Sequence, residues 1–206
     1  MTVNLLATVD LGSNSFRLLI GKINSDGTIV PLDQIKETVR LASGLDAKNN
    51  LTKESQLFAL EVLTRFSERL SNFKKSQVRV VGTSTLRVAN NSAEFITIAN
   101  KALGFPIEVI SGKEEARLIY IGAMHSLAYT TEKRLVIDIG GGSTEFIIGE
   151  GYEPQIMESV TMGCVSYTGR YFTDGQLTEA NFNNAIYAAR SKIQSMEHLF
   201  AEHDWL

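Results

Sequence analysis

Two segments of this chain of 206 residues lie over each other without a gap, and that duplication limits its architecture more than any other feature. Asp10-Leu-Gly-Ser-Asn-Ser-Phe-Arg-Leu-Leu-Ile-Gly21 matches Asp138-Ile-Gly-Gly-Gly-Ser-Thr-Glu-Phe-Ile-Ile-Gly149 at the aspartate, the first glycine, the serine, the last isoleucine and the final glycine. Each copy ends a short apolar run in a carboxylate, turns on small residues and continues in a second apolar run. Small residues let backbone N–H groups converge on phosphate oxygens. An aspartate at a strand end can hold Mg²⁺ directly or through water. Neither copy is a P-loop, because no Gly-Lys-Ser/Thr follows the glycines. Neither is a Rossmann fingerprint, because the glycines lead into a strand. The candidate phosphate ligands are therefore Gly12, Ser13, Asn14 and Ser15 in one turn, and Gly140, Gly141, Gly142, Ser143 and Thr144 in the other.

The rest of the chain repeats the same order of elements. Leu5–Asp10, Phe16–Ile23 and Thr28–Leu32 read as a meander of three strands. Thr52–Phe73 carries Leu57, Leu60, Leu63, Phe66, Leu70 and Phe73 at helical spacing. Val78–Val81 is a buried strand, and Ser92–Leu103 a helix stopped by Gly104 with Pro106 beyond. Ile107–Ile110 reads as a strand and Gly112–Tyr129 as a helix. Then Leu135–Asp138, Glu145–Ile148 and Gln155–Val160 restart the meander. A long helix follows over Thr178–His203, with Phe182, Ile186, Ala189, Ile193, Met196 and Phe200 on one face.

Composition narrows the ligand. A formal charge of −3 argues against broad electrostatic capture of DNA or RNA. Phosphate must then be held locally, by amides, a metal ion and a few arginines. The single cysteine, Cys164, fits a reducing compartment and reads as packed in an apolar setting. No apolar run approaches the roughly 18 residues needed to span a bilayer, and the N-terminus lacks the basic region of a signal peptide. The expectation is a cytoplasmic protein, with peripheral membrane association left open. His125, His198 and His203 form no ligand cluster and read as structural or solvated.

The order and spacing of five motifs resemble the exopolyphosphatase/guanosine pentaphosphate phosphohydrolase (Ppx/GppA) family. They are Asp10-Leu-Gly-Ser-Asn-Ser-Phe16, Gly82-Thr-Ser-Thr-Leu-Arg87, Ile110-Ser-Gly-Lys-Glu-Glu-Ala-Arg117, Asp138-Ile-Gly-Gly-Gly-Ser-Thr-Glu145 and Met162-Gly-Cys-Val-Ser166. The resemblance implies an α/β, actin-like (ribonuclease H-like) fold: a βββαβα domain over 1–129, then a truncated second copy over 130–206. It also implies a homodimer for the full-length protein, and a role in the stringent response.

The same resemblance implies hydrolysis of a terminal phosphate with Mg²⁺ as cofactor, and Glu115 as the group that activates water. Ser111 and Glu114 form a capping-box pattern, which would engage Glu114 at its own helix N-terminus and leave Glu115 the freer carboxylate. Asp10, Asp138 and Glu145 are the metal candidates, with Asp138 and Glu145 alternatively orienting the water. Arg87 is the best cationic clamp, and a solvated loop arginine is its other reading. Arg17, a further phosphate-binding candidate, stands where some relatives have histidine, and Arg117 is explained equally well by a helix-surface ion pair.

The expected reaction is release of terminal orthophosphate from linear polyphosphate. Guanosine pentaphosphate (pppGpp) is the alternative substrate, and a non-catalytic phosphate-binding module the alternative class. A sugar or acid kinase of the same superfamily fits less well, since the glycine-rich adenosine segment of those enzymes is absent. If the second copy stops after its first long helix, an unpaired sheet edge and an exposed apolar helix face should follow.

Overall fold

The computed structural model describes residues 4–201 as two compact units that divide between Ile110 and Ser111. His203 and the Asp204-Trp205-Leu206 end of the chain lie outside the described residues. No helix among the described residues is long and apolar enough to cross a membrane.

The first unit is built on one sheet. Strands β1 (Leu5–Leu11), β2 (Ser15–Ile23) and β3 (Ile29–Thr38) form the antiparallel meander. Strands β4 (Val78–Gly82) and β5 (Ile107–Val109) add in parallel, giving the order β3-β2-β1-β4-β5. Alternation along β1 explains its two faces: Ala7, Val9 and Leu11 enter the core while Thr8 and Asp10 point the other way. Helix α1 (Lys53–Leu70) starts where the Thr52 hydroxyl accepts the Ser55 N–H, and it buries Ala59, Val62, Leu63, Phe66 and Leu70. The buried stripe thus omits Leu57, which the spacing had placed on it and which is exposed.

Helix α2 (Ser84–Val88) is one turn that no periodicity announced, so Arg87 sits on a helix and not in a loop. Helix α3 (Ser92–Leu103) ends as expected, with Gly104 in the left-handed region (φ 82°).

The second unit starts earlier than the repeat suggested. Helix α4 (Gly112–Ser126) had been assigned to the first domain. Its buried Ala116, Tyr120 and Met124 instead pack with Ile147 and Met157 of the second sheet, which moves the boundary from 129/130 to 110/111. That sheet holds β6 (Lys133–Ile139), β7 (Thr144–Glu150) and β8 (Glu153–Val160), antiparallel in sequence order. Helix α5 (Cys164–Tyr171) was not expected.

Helix α6 (Glu179–Ile193) is shorter than the apolar pattern implied, because the chain turns at Gln194–Met196 before a 3-10 turn at Glu197–Phe200. Only Phe200 of its predicted face is buried, against Phe146. Phe182 and Ile186 remain largely exposed, as do Ile137 and Ile139 on the edge strand β6. Together they line an apolar groove of about 490 Å³, which matches the expected open edge and bare helix face.

The duplication holds down to its irregularities. Asp10 pairs with Arg17 as Asp138 pairs with Glu145, and Leu11 with Phe16 as Ile139 with Thr144. Each second strand then carries a register shift at the same place, Ile20/Gly21 in one copy and Ile148/Gly149 in the other. The turns coincide too. A Cβ on Gly12 would come within 2.8 Å of the Ser15 carbonyl oxygen, and one on Gly140 within 3.0 Å of that of Ser143.

Candidate functional site

In the second unit, three strands place Asp138, Glu145 and Ser159 in one row across the sheet. Residues opposite one another share a face, so the two carboxylates and the hydroxyl stand side by side. Glu145 is only 1% exposed. The Ser159 hydroxyl donates to its Oε1 at 2.8 Å, and the Ser143 hydroxyl also bonds it. Burial, reinforced by the nearby Glu115 and Asp138 carboxylates, still pushes the Glu145 pKa up to about 7, with the two serines pulling the other way. Glu115 reaches this row from the first turn of α4. Glu115 and Asp138, predicted from two separate motifs, therefore both act on Glu145.

The glycine turn beside this row is fixed from behind. The Gly140 carbonyl accepts the Cys164 N–H (2.9 Å), and the Gly141 carbonyl accepts those of Val165 (3.0 Å) and Ser166 (3.2 Å). In a trans peptide the N–H points opposite to its carbonyl. Tying these carbonyls to the start of α5 therefore turns the N–H groups of Gly141 and Gly142 away from it, as an anion cradle requires. Gly163 permits the approach, since a Cβ there would collide with the backbone of Gly141 and Gly142. Two predicted phosphate ligands are corrected: the Gly140 N–H closes the turn on the Ser143 carbonyl (2.9 Å), and the Thr144 hydroxyl donates to the Met162 carbonyl.

The first unit builds its turn differently. Ser13 is buried, and its hydroxyl accepts both the N–H (3.2 Å) and the hydroxyl (2.7 Å) of Thr85. The Ser13 carbonyl accepts the Ala42 N–H, and the Asn14 carbonyl accepts those of Val39 and Arg40. By the same trans-peptide geometry, the N–H groups of Asn14 and Ser15 face away from that segment. The row across this sheet is Asp10, Arg17 and Lys36, with Arg17 exposed beside the half-buried Asp10.

The family model of the Ppx/GppA phosphatase family matches residues 19–206. The chain belongs to that family. It is 47% identical over 201 residues to the guanosine-5'-triphosphate,3'-diphosphate pyrophosphatase of Vibrio cholerae, covering 98% of this chain and 40% of the relative. Among solved structures it is similar to an exopolyphosphatase-like protein (TM-score 0.86, 28% identity, 95% of this chain and 62% of that one). It also resembles an exopolyphosphatase from Cytophaga hutchinsonii (TM-score 0.76, 29% identity, 93% and 64%). The chain thus spans less than half the length of the curated relative.

Within this Ppx/GppA chain the other predicted residues divide. Arg87 donates to the Ile110 carbonyl at 3.1 Å, so its guanidinium braces the end of β5. Glu114 departs from the capping-box role: its N–H is capped by Ser111, while its carboxylate takes the Arg117 guanidinium through two bonds of 2.7 and 2.8 Å. Arg117 is accordingly an ion-pair partner. Cys164 is exposed at the start of α5, contrary to the packed setting expected. His125 is exposed and stacks on Tyr152, 4.5 Å between ring centroids.

Ser159 and Gly163 are the functional residues that motif reading missed. Gly163 lay inside a quoted motif, and its neighbouring backbone explains why a glycine stands there. Ser159 had no local signal, because its role arises from strand register.

Among the described residues, no three histidine, cysteine, aspartate or glutamate side chains converge as a ready-made metal site. The donor chemistry nonetheless fits Mg²⁺, which binds one or two carboxylates and fills its shell with water and substrate phosphates. Asp138 and Glu145 offer hard oxygen ligands, and Glu145 is a buried carboxylate whose pKa is raised first by burial and then by the neighbouring Glu115 and Asp138 carboxylates.

Proposed function

We propose that the protein removes the terminal phosphoryl group of guanosine pentaphosphate by attack of water, releasing orthophosphate and the tetraphosphate. The carrying observation is the row of Asp138 and buried Glu145, coupled to Glu115 beside the Gly141–Gly142 amides. Motifs alone put linear polyphosphate first; the 47% identity to the Vibrio cholerae pyrophosphatase reverses that order. The likeness to two exopolyphosphatase-type structures keeps polyphosphate as the second reading.

Glu115 is assigned the general base. It accepts a proton from the attacking water as the water oxygen bonds to phosphorus and the bridging P–O bond breaks, the electron pair leaving with the shortened nucleotide. The amides of Gly141 and Gly142 bind phosphoryl oxygens and hold the group against that water. Ser143 and Ser159 fix the Glu145 carboxylate so that it can orient the water or share in holding Mg²⁺. Asp138 and Glu145 would hold Mg²⁺, which would supply charge neutralisation for the transferring group.

Phosphate release from pppGpp and from polyphosphate by the purified protein tests the assignment, with Glu115→Gln as control. The expected results are a higher kcat/KM for pppGpp and a loss of about 10²–10⁴-fold in the variant. Preference for polyphosphate reverses the substrate order. Binding of either compound with release no greater than that of Glu115→Gln leaves a phosphate-binding module.

A further inference from the structure

Arg40 belongs to none of the roles described so far, yet its backbone is held in a conformation that arginine rarely adopts. Its φ of 53° and ψ of 43° lie in the left-handed region, which costs a non-glycine residue energy and persists only where surrounding contacts impose it. The contacts are on the phosphate turn itself. The N–H groups of Val39 (3.0 Å) and Arg40 (2.8 Å) both donate to the Asn14 carbonyl, and that of Ala42 donates to the Ser13 carbonyl. The flanking Val39 and Leu41 are buried in the core. Their anchoring leaves Arg40 as the residue that projects, and it is exposed. Among the described residues Arg40 forms no ion pair.

We propose that Arg40 is a phosphate-binding residue of the first unit, its guanidinium closing over oxygens held by the Asn14–Ser15 turn. A guanidinium presents paired donors that match phosphate geometry. The backbone of Arg40 lies on the carbonyl side of the turn, and its long side chain has the reach to pass the turn to oxygens held on the amide side. Helices α1 and α3 and the sheet do not need the side chain, since only the backbone of Arg40 bonds the turn. This inference rests on the phosphate-handling reading above and adds a residue to it.

Calorimetric titration of the protein with inorganic tripolyphosphate separates the side chain from the backbone. Glycine accepts the left-handed conformation without strain, so Arg40→Gly removes the guanidinium and leaves the turn intact. The expected result is an affinity lower by about tenfold or more, as for the loss of a charged hydrogen bond, with a weaker salt dependence and an unchanged cooperative melt. Arg40→Lys should recover the salt dependence but only part of the affinity, because a point charge lacks the paired donors. Arg40→Gly binding as tightly as the parent overturns this assignment alone. A parent protein that binds no tripolyphosphate overturns it together with the phosphate-handling reading.

Discussion

The first and second units carry the same hairpin, with the same register, the same bulge and the same glycine turn, but opposite charge in one row. Across the first sheet the row reads Asp10, Arg17, Lys36; across the second it reads Asp138, Glu145, Ser159. One backbone therefore serves two chemistries. A basic row beside amides suits holding phosphate, whereas an acidic row with a buried carboxylate suits water and a cation. The turns also differ in what braces them. Side-chain hydroxyls and the segment after β3 fix the first; backbone bonds to the start of α5, with the Thr144 hydroxyl on the Met162 carbonyl, fix the second.

The acidic row should lower stability, and Glu145→Gln breaks the comparison most strongly. The folded pKa of Glu145 near 7 lies above its ordinary value of 4.5. Between those values the folded chain keeps a proton that the unfolded chain has released. Its stabilising contribution is therefore complete below about pH 4.5 and is lost as pH rises towards 7. A raised pKa of this size corresponds to about 3 kcal/mol. Glutamine stands in for the protonated acid, so the variant should be more stable than the parent by roughly that amount at pH 8 and similar at pH 4. Urea unfolding at both pH values, without divalent cations, measures it. A difference independent of pH would remove Glu145 as the destabilising group, and the contrast between the rows would lose its energetic half.

Much of this contrast was legible in the sequence because it depends on local pattern. The ungapped match fixed which aspartate corresponds to which, and the caps at Thr52, Ser111 and Thr178 and the stop at Gly104 are short-range signals. Glu145 could be named but its burial could not. After Thr144 at a strand start it reads equally as an edge acid, and only β8 on one side and α4 above it exclude water. Helices α2 and α5 are too short to show periodicity. The face of α6 is legible as apolar, and its exposure follows from the lack of a covering partner among the described residues and not from the stripe, because periodicity reports a stripe and not what covers it. Arg40 gave no sign at all, since a left-handed arginine looks like any other in sequence.

The bracing of the second turn by α5 is tested by Gly163→Ala. The added Cβ would collide with the backbone of Gly141 and Gly142, whose carbonyls are already committed to α5. Neither partner can move without losing those bonds. The expected cost is about 1–3 kcal/mol, accompanied by weaker phosphate release as the Gly141 and Gly142 amides are displaced. Thermal unfolding together with the kinetics would show whether both change. A variant with normal kinetics would mean that the turn keeps its shape without α5.

The matching test in the first unit is Ser13→Ala, and its effect should be smaller. Both donors of Thr85 lose their acceptor inside a site where Thr85 is 2% exposed. A buried donor left unsatisfied costs about 1–2 kcal/mol. The Thr85 hydroxyl can rotate in search of another acceptor, however, while a backbone collision has no such release. The three bonds from Val39, Arg40 and Ala42 to this turn also survive the substitution. Tripolyphosphate affinity should therefore fall by less than for Arg40→Gly, even though Ser13→Ala destabilises the fold more. The opposite ranking would show that the hydroxyl pair shapes the first turn, and that the two units brace their phosphate loops in more similar ways than their backbones suggest.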